Sequence, residues 1–166
     1  TIVNTGLRIQ STAKITVYYE VSNTNNNELY ALKGENALGT EFYIPMHKDA
    51  NFYNHHFGTT PLDLAIASFD IIATEDNTTV HIYSPVPLDG IPANTMVTYT
   101  LNTGQTISCG TTQTGSDPDG GGPMAHYYQH PNNHPAGDFV ISDKPIAITY
   151  KDDSDHDVPA GGCYDL

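Results

Sequence analysis

Short runs of β-branched and aromatic residues, many of them alternating with polar residues, recur along the whole chain. Alternation with a period of two is typical of half-buried β-strands, and no stretch keeps the apolar spacing of a helix for more than about two turns. Asn, Asp, Gly and Pro cluster between the runs and favour turns. We therefore predict an all-β protein. The predicted strands are residues 7–10, 14–21, 28–33, 40–45, 65–74, 78–83, 96–101, 105–109, 138–142 and 146–151.

Residues 68–82 contain two strand patterns that are joined by an acidic turn at residues 75–77. A tight turn containing Asn between two such runs predicts a β-hairpin. Asn77 and Thr79 also match the acceptor pattern for N-glycosylation, although the turn by itself explains an Asn at this position.

An internal similarity affects the expected domain organisation. Residues 6–19 align without a gap with residues 137–150, and in both a Gly precedes a short strand, a turn containing Ser and a second strand that ends in Tyr. Read as a repeat of about 130 residues, the match predicts one β domain over residues 1–166, with the opening hairpin of a second copy at 137–151. The alternative is that any two hairpins with a Ser turn look alike.

These patterns favour a β-sandwich of antiparallel sheets, as one unit of a β-repeat array, and a propeller-like arrangement of β repeats is the alternative. The formal net charge of −13 repels phosphate backbones and anionic headgroups, which argues against nucleic acid as a partner. No run of 18 apolar residues exists, so membrane insertion is not expected. The chain opens at Thr1 without a Met, as expected of a fragment or of a secreted protein after removal of its leader.

A long polar loop is predicted at residues 110–135, where aliphatic residues are almost absent. Its histidines His126, His130 and His134 are four residues apart, but Pro131 prevents a regular helix. A loop can still gather imidazoles around a transition metal, and the alternative is an ordinary polar surface loop. Further imidazoles for such a site are those of His47, His55 and His56.

The acidic run near the end of the chain has carboxylates at nearly alternate positions. These residues are Asp152, Asp153, Asp155 and Asp157. Oxygen ligands spaced in this way suit Ca²⁺, although the Gly and Glu that an EF-hand loop requires are absent. A solvated acidic loop is the alternative.

The two cysteines, Cys109 and Cys163, lack the spacing of a metal site or of a redox motif. We predict a disulfide between them, which in the chain-entropy model contributes about 4 kcal/mol. The alternatives are two free thiols in a reducing compartment, or partner cysteines in other parts of a longer protein. The chain also lacks a nucleophile elbow, a phosphate-binding Gly loop and a zinc-protease motif, so we do not expect an enzyme.

Several motifs together resemble the N-terminal domain family of the IgG-Fc-binding protein, as found in large secreted surface proteins of Bacteroidota. The motifs are Arg8-Ile9-Gln10-Ser11, Ile15-Thr16-Val17-Tyr18-Tyr19, Ala37-Leu38-Gly39-Thr40, Phe42-Tyr43-Ile44-Pro45, Ala73-Thr74-Glu75-Asp76-Asn77, Leu101-Asn102-Thr103-Gly104, Ser142-Asp143-Lys144-Pro145 and Lys151-Asp152-Asp153-Ser154. The resemblance implies a β architecture, an extracellular location and an adhesive or structural role. It brings no catalytic residues, and immunoglobulin binding does not follow from it.

The expected function is therefore that of an extracellular structural or adhesive module of a bacterial-type cell-surface protein. Such a module can assemble into a filament or another polymer through its strand edges, with other copies or further repeats of the same protein as partners. The alternative is a binding module for surface glycans or proteins that is stabilised by Ca²⁺ or a transition metal at the Asp and His loops.

Overall fold

The computed structural model describes residues 1–22, 28–46, 67–110 and 135–151, together with the backbone of residues 53–55, 126–128, 155–157 and 162–164. Within these residues, one short 3₁₀ helix, Gly34–Ala37, accompanies thirteen strands. The strands are β1 (Ile2–Val3), β2 (Tyr18–Val21), β3 (Glu28–Ala31), β4 (Gly39–Tyr43), β5 (Tyr53–His55), β6 (Ser68–Ala73), β7 (Thr78–Ser84), β8 (Thr95–Leu101), β9 (Thr106–Gly110), β10 (His126–Tyr128), β11 (Phe139–Lys151), β12 (Asp155–Asp157) and β13 (Gly162–Tyr164).

The predicted all-β, antiparallel architecture is confirmed, since every strand pair among the described residues is antiparallel. The main sheet has seven strands in the order β1-β9-β6-β11-β7-β8, and β4 pairs with β11 as well. This sheet is nearly closed, which makes the fold sandwich-like or barrel-like. The other described strands form the two-stranded sheets β2–β3, β5–β10 and β12–β13.

The prediction of a β-hairpin at residues 68–82 is wrong, because β6 and β7 do not pair with each other. Strands β6 and β7 both run antiparallel to β11, so they have the same direction and follow one another along it. Strands β8 and β9 are related in the same way, because β8 pairs with β7 and β9 pairs with β6. Asn77 adopts the left-handed conformation of a turn, with φ of 53°, but here the turn interrupts a long strand instead of reversing it.

The prediction that residues 137–151 form the two strands of a hairpin is also wrong. Strand β11 is a single strand of 13 residues at the centre of the sheet. Residues 139–142 pair with β7 and residues 146–151 pair with β6, while the register with β4 shifts between Ile141 and Ile146. An irregularity of this kind bends a strand. The sheet therefore changes direction where β11 passes from β7 to β6.

The hydrophobic core lies on one face of this bent sheet. In β7 every second residue is buried, namely Thr78, Val80, Ile82 and Ser84, as the two-residue period of a strand requires. Phe69 and Ile71 of β6 are fully buried on the same side, with Ile146 of β11. The remaining buried apolar residues are Ile44, Met46, Ala67, Ala73, Leu88, Ile91, Leu101, Ile107, Cys109 and Val140.

The first part of the chain contributes little to this core. Strand β1 pairs with β9, and the Gly6 amide donates to the Gly104 carbonyl over 3.1 Å. Beyond that point residues 7–16 are exposed and form no strand, although strands were predicted at 7–10 and 14–21. Strands β2 and β3 form a separate hairpin that pairs with no other described strand. A two-stranded hairpin by itself is marginally stable in water.

Candidate functional site

The turn that separates β6 from β7 and the turn that separates β8 from β9 lie side by side and are joined by hydrogen bonds. Between β6 and β7, an Asp76 carboxylate oxygen accepts a hydrogen bond from the Thr103 amide at 2.9 Å. The Asn77 amide donates to the side-chain oxygen of Asn102 at 3.1 Å. Both contacts join the turn at residues 74–77 to the turn at 102–105, which lies between β8 and β9.

The bend of β11 is hydrogen-bonded to the turn at residues 74–77 and to the start of β7. We call these two turns and the bend the row of turns. An Asp143 carboxylate oxygen accepts a hydrogen bond from the Thr79 amide at 2.7 Å, and the Lys144 ammonium donates to the carbonyl of Asp76. The hydrogen bond from Thr103 lowers the pKa of the Asp76 carboxyl, and that from Thr79 lowers the pKa of Asp143. These exposed carboxylates align three strands, which is a structural role.

The outermost strand of the sheet, β8, is a second notable surface. It pairs with β7 along all seven of its residues, and no described strand pairs with its other side. Val97 and Tyr99 pack against the core, whereas Met96 is 49% exposed. Strand β8 contains neither a charged residue nor a proline. Sequence reasoning found this strand, but only the pairing shows that it is an edge.

Large apolar side chains are exposed along the N-terminal part of the chain. Tyr19 and Tyr30 stack across the β2–β3 hairpin with ring centroids 6.4 Å apart. Other large apolar side chains exposed in this part of the chain are Leu7, Ile9, Ile15, Tyr18, Leu29 and Leu32.

The predicted histidine and aspartate site is described only in part. His126 begins β10, so residues 126–128 are a strand where a loop was predicted, and the register places His126 opposite His55 of β5. Asp155 and Asp157 belong to β12, which lies next to β5. His130, His134, Asp152 and Asp153 lie outside the described residues. Among the side chains that are described, no group of three His, Cys, Asp or Glu could hold a metal ion.

Cys109 is a free thiol with no exposed surface, which does not support the predicted disulfide with Cys163. Burial, together with the charges of Asp138 and Asp70, raises the pKa of Cys109 to about 12. The thiol is therefore protonated and unreactive at neutral pH. Asp138 is itself fully buried, and nothing in the local sequence predicts this. Cys163 belongs to β13, of which only the backbone is described.

Asn77 lies at the exposed turn between β6 and β7, so its side chain faces solvent as glycosylation requires. Glycosylation of Asn77 stays a prediction. None of the helices among the described residues has the length and apolar character to cross a membrane.

A family model described as IgGFc binding protein matches residues 28–165, which is most of the chain. No curated protein and no solved structure matches the chain. The match covers all of the main sheet except β1, and it leaves out residues 1–27. It supports an extracellular binding or adhesive module and fits a secreted or surface protein.

Proposed function

Because the chain belongs to the IgGFc binding protein family, we propose that it is a non-enzymatic structural or adhesive module that assembles through the edges of its strands. Its partners in this proposal are other copies or further repeats of the same protein. The observation that carries the proposal is the open edge of β8, the side on which no described strand pairs with it.

Natural proteins usually protect an edge strand, because its unpaired amides and carbonyls can pair with another chain. Common protections are charged side chains, prolines and very short strands. Strand β8 has seven residues, four of them β-branched and one a tyrosine, and has none of these protections. The other edge strands among the described residues are different, since β1, which pairs with β9, has only two residues, and β4, which pairs with β11, has five residues and contains the charged Glu41. Addition of a strand to β8 is therefore the most favourable route to assembly.

The test is the assembly state of the full chain, measured by sedimentation velocity over a range of concentrations and by electron microscopy. We expect association that increases with concentration. Met96→Lys and Thr100→Lys, at exposed positions of β8, should weaken it at least tenfold. A chain that stays monomeric at every concentration contradicts the proposal.

The matched control is Ile141→Lys. Ile141 is 36% exposed and lies in β11, which has a partner strand on each side of it. The control adds the same charge without altering an open edge, so it should associate like the unmodified chain. Equal weakening by all three variants would show that charge alone acts, which also contradicts the proposal.

A second candidate is a binding module for glycans or proteins that is stabilised by Ca²⁺ or a transition metal. Its support is the pairing of β5 with β10, which sets His55 opposite His126, and the position of β12 beside β5. Segments distant in sequence thus bring His and Asp residues to one region. An ion bound there would raise the melting temperature, because it binds only the folded chain. An unchanged melting temperature on adding EDTA, Ca²⁺ or Zn²⁺ removes the metal from this candidate.

A further inference from the structure

Residues 6–19, which we call the N-terminal segment, have the sequence pattern of β11. The aligned residues 137–150 include nearly all of that strand, and Gly, Ser, Ile and Tyr are identical at four aligned positions. The local structure agrees at the serines. The Ser11 hydroxyl accepts from the amide of Ala13, and the Ser142 hydroxyl donates to the carbonyl of Lys144, so each binds the backbone two residues later.

The two segments differ in what surrounds them. Val140 and Ile146 of β11 are 0% exposed, whereas the aligned Ile9 and Ile15 are 49% and 56% exposed. Residues 4–17 form no strand with any described residue. The N-terminal segment thus has apolar side chains at the positions that β11 buries, but no described strand pairs with the part that contains Ile9 and Ile15.

The charge of the segment is also distinctive. Residues 1–19 contain Arg8 and Lys14 and no acidic residue, so they carry +2 and leave −15 on the rest of the chain. A sheet of this same fold is therefore a partner of opposite charge for the segment.

We propose that the N-terminal segment is a strand of the β11 type and that it completes a second sheet of this same fold in which the β11 position is open. In that position, residues 8–11 pair as 139–142 do with β4 and β7, and residues 15–19 pair as 146–150 do with β6. Ile9 and Ile15 enter the core of that sheet. Because residues 139–151 already fill this position in the chain's own sheet, the acceptor is a preceding module that lacks a β11 strand of its own, and modules joined in this way form a head-to-tail array. This inference rests on the proposed modular function and names the partner.

The test keeps the whole chain and adds an acceptor sheet. Residues 28–131 are fused ahead of Thr1, which sets Gly6 at the position of Gly137 relative to the added copies of β4 and β6–β9. Hydrogen exchange followed by mass spectrometry reports on the amides of the N-terminal segment. We expect these amides to exchange about a hundredfold more slowly in the fusion than in the chain alone. Exchange that is equally fast in both proteins overturns the inference.

Two variants of the fusion test the register. Ile9→Asp places a charge where β11 has the buried Val140, so it should abolish the protection. Gln10→Asp is the matched control, because it aligns with the exposed Ile141 and faces the other side of a strand. Equal loss of protection in both variants contradicts a strand with this register.

A graft gives a second measurement. Replacing residues 139–150 of the chain with residues 8–19 should preserve a cooperative β-sheet melt, whereas a graft of residues 7–18 shifts every side chain to the opposite face and should not fold. Two folded grafts, or two unfolded grafts, overturn the inference. Neither experiment measures association through β8, so failure of this inference and failure of the proposed function are distinguishable.

Discussion

Strand β11 of the main sheet and the N-terminal segment have similar sequence patterns. However, the apolar side chains of β11 that face the core are buried, whereas the aligned side chains of the N-terminal segment are exposed to solvent. Ile146 in β11 is completely buried between partner strands, whereas the aligned Ile15 is 56% exposed. The difference teaches that the alternating pattern specifies which face of a strand is apolar, while burial depends on the presence of neighbouring strands. Measurements on the two regions can contradict or sharpen this comparison.

The largest contrast in stability is expected between two alanine variants. Ile146→Ala removes buried methyl groups and leaves a cavity, so it should lower the free energy of unfolding by about 2–5 kcal/mol. Ile15→Ala should lower it by less than about 0.5 kcal/mol, because the side chain is largely in water. Urea unfolding of the chain measures both. Similar losses for the two variants would show that the N-terminal segment is packed as β11 is.

Chemical protection of Cys109 tests the interior of the same sheet. With its pKa raised to about 12, the thiol should react with iodoacetamide at pH 8 about a thousandfold more slowly in the folded chain than in urea. Because folding raises this pKa, its contribution to stability is full below about pH 9 and falls as the pH rises toward 12. Peptide mass spectrometry separates Cys109 from Cys163. Equal rates for Cys109 in the folded chain and in urea would contradict its burial.

A smaller effect is expected at the break between β6 and β7. The buried Thr78 hydroxyl donates to the carbonyl of Glu75 at 2.7 Å. Thr78→Val keeps the shape of the side chain and removes this bond, which should cost about 1 kcal/mol in urea unfolding. Thr100→Val, at an exposed site of β8, is the control and should change stability by less than about 0.5 kcal/mol. A larger effect at Thr100 would contradict the assignment.

The smallest effect concerns the acid dependence of stability. Hydrogen bonds from Thr103 and Thr79 lower the folded-state pKa of Asp76 and Asp143, so these groups stabilise the fold above the ordinary carboxyl pKa. That contribution is lost as the pH falls through the lowered values. The double variant Asp76→Asn and Asp143→Asn should therefore lose less stability between pH 7 and pH 3 than the unmodified chain does.

The control for this measurement is Glu41→Gln, an exposed carboxyl of β4 that lies outside the row of turns. It should keep the acid dependence of the unmodified chain. If the double variant and this control behave alike, the hydrogen bonds of the row do not contribute to the acid dependence.

The sequence predicted most strands of the main sheet to within a few residues, because their β-branched and aromatic runs are bounded by clear turn residues. It failed where the outcome depends on distant partners. Asn77 favours a turn in a hairpin and in an interrupted strand alike, so only the pairing of β6 and β7 with β11 distinguishes the two. The candidate site on β8 was likewise predicted as a strand, but its open edge follows from the strand order.

By itself, the amino-acid sequence determined the all-β class, the family and the apolar face of each strand, because these follow from local patterns and motifs. The tertiary structure alone decided that β6 and β7 form one interrupted strand, that β8 is an edge and that Cys109 is buried. It also decided that Ile15 stays in water while Ile146 is buried. The physical reason is that strand pairing and burial are non-local, since each depends on residues far away in the chain.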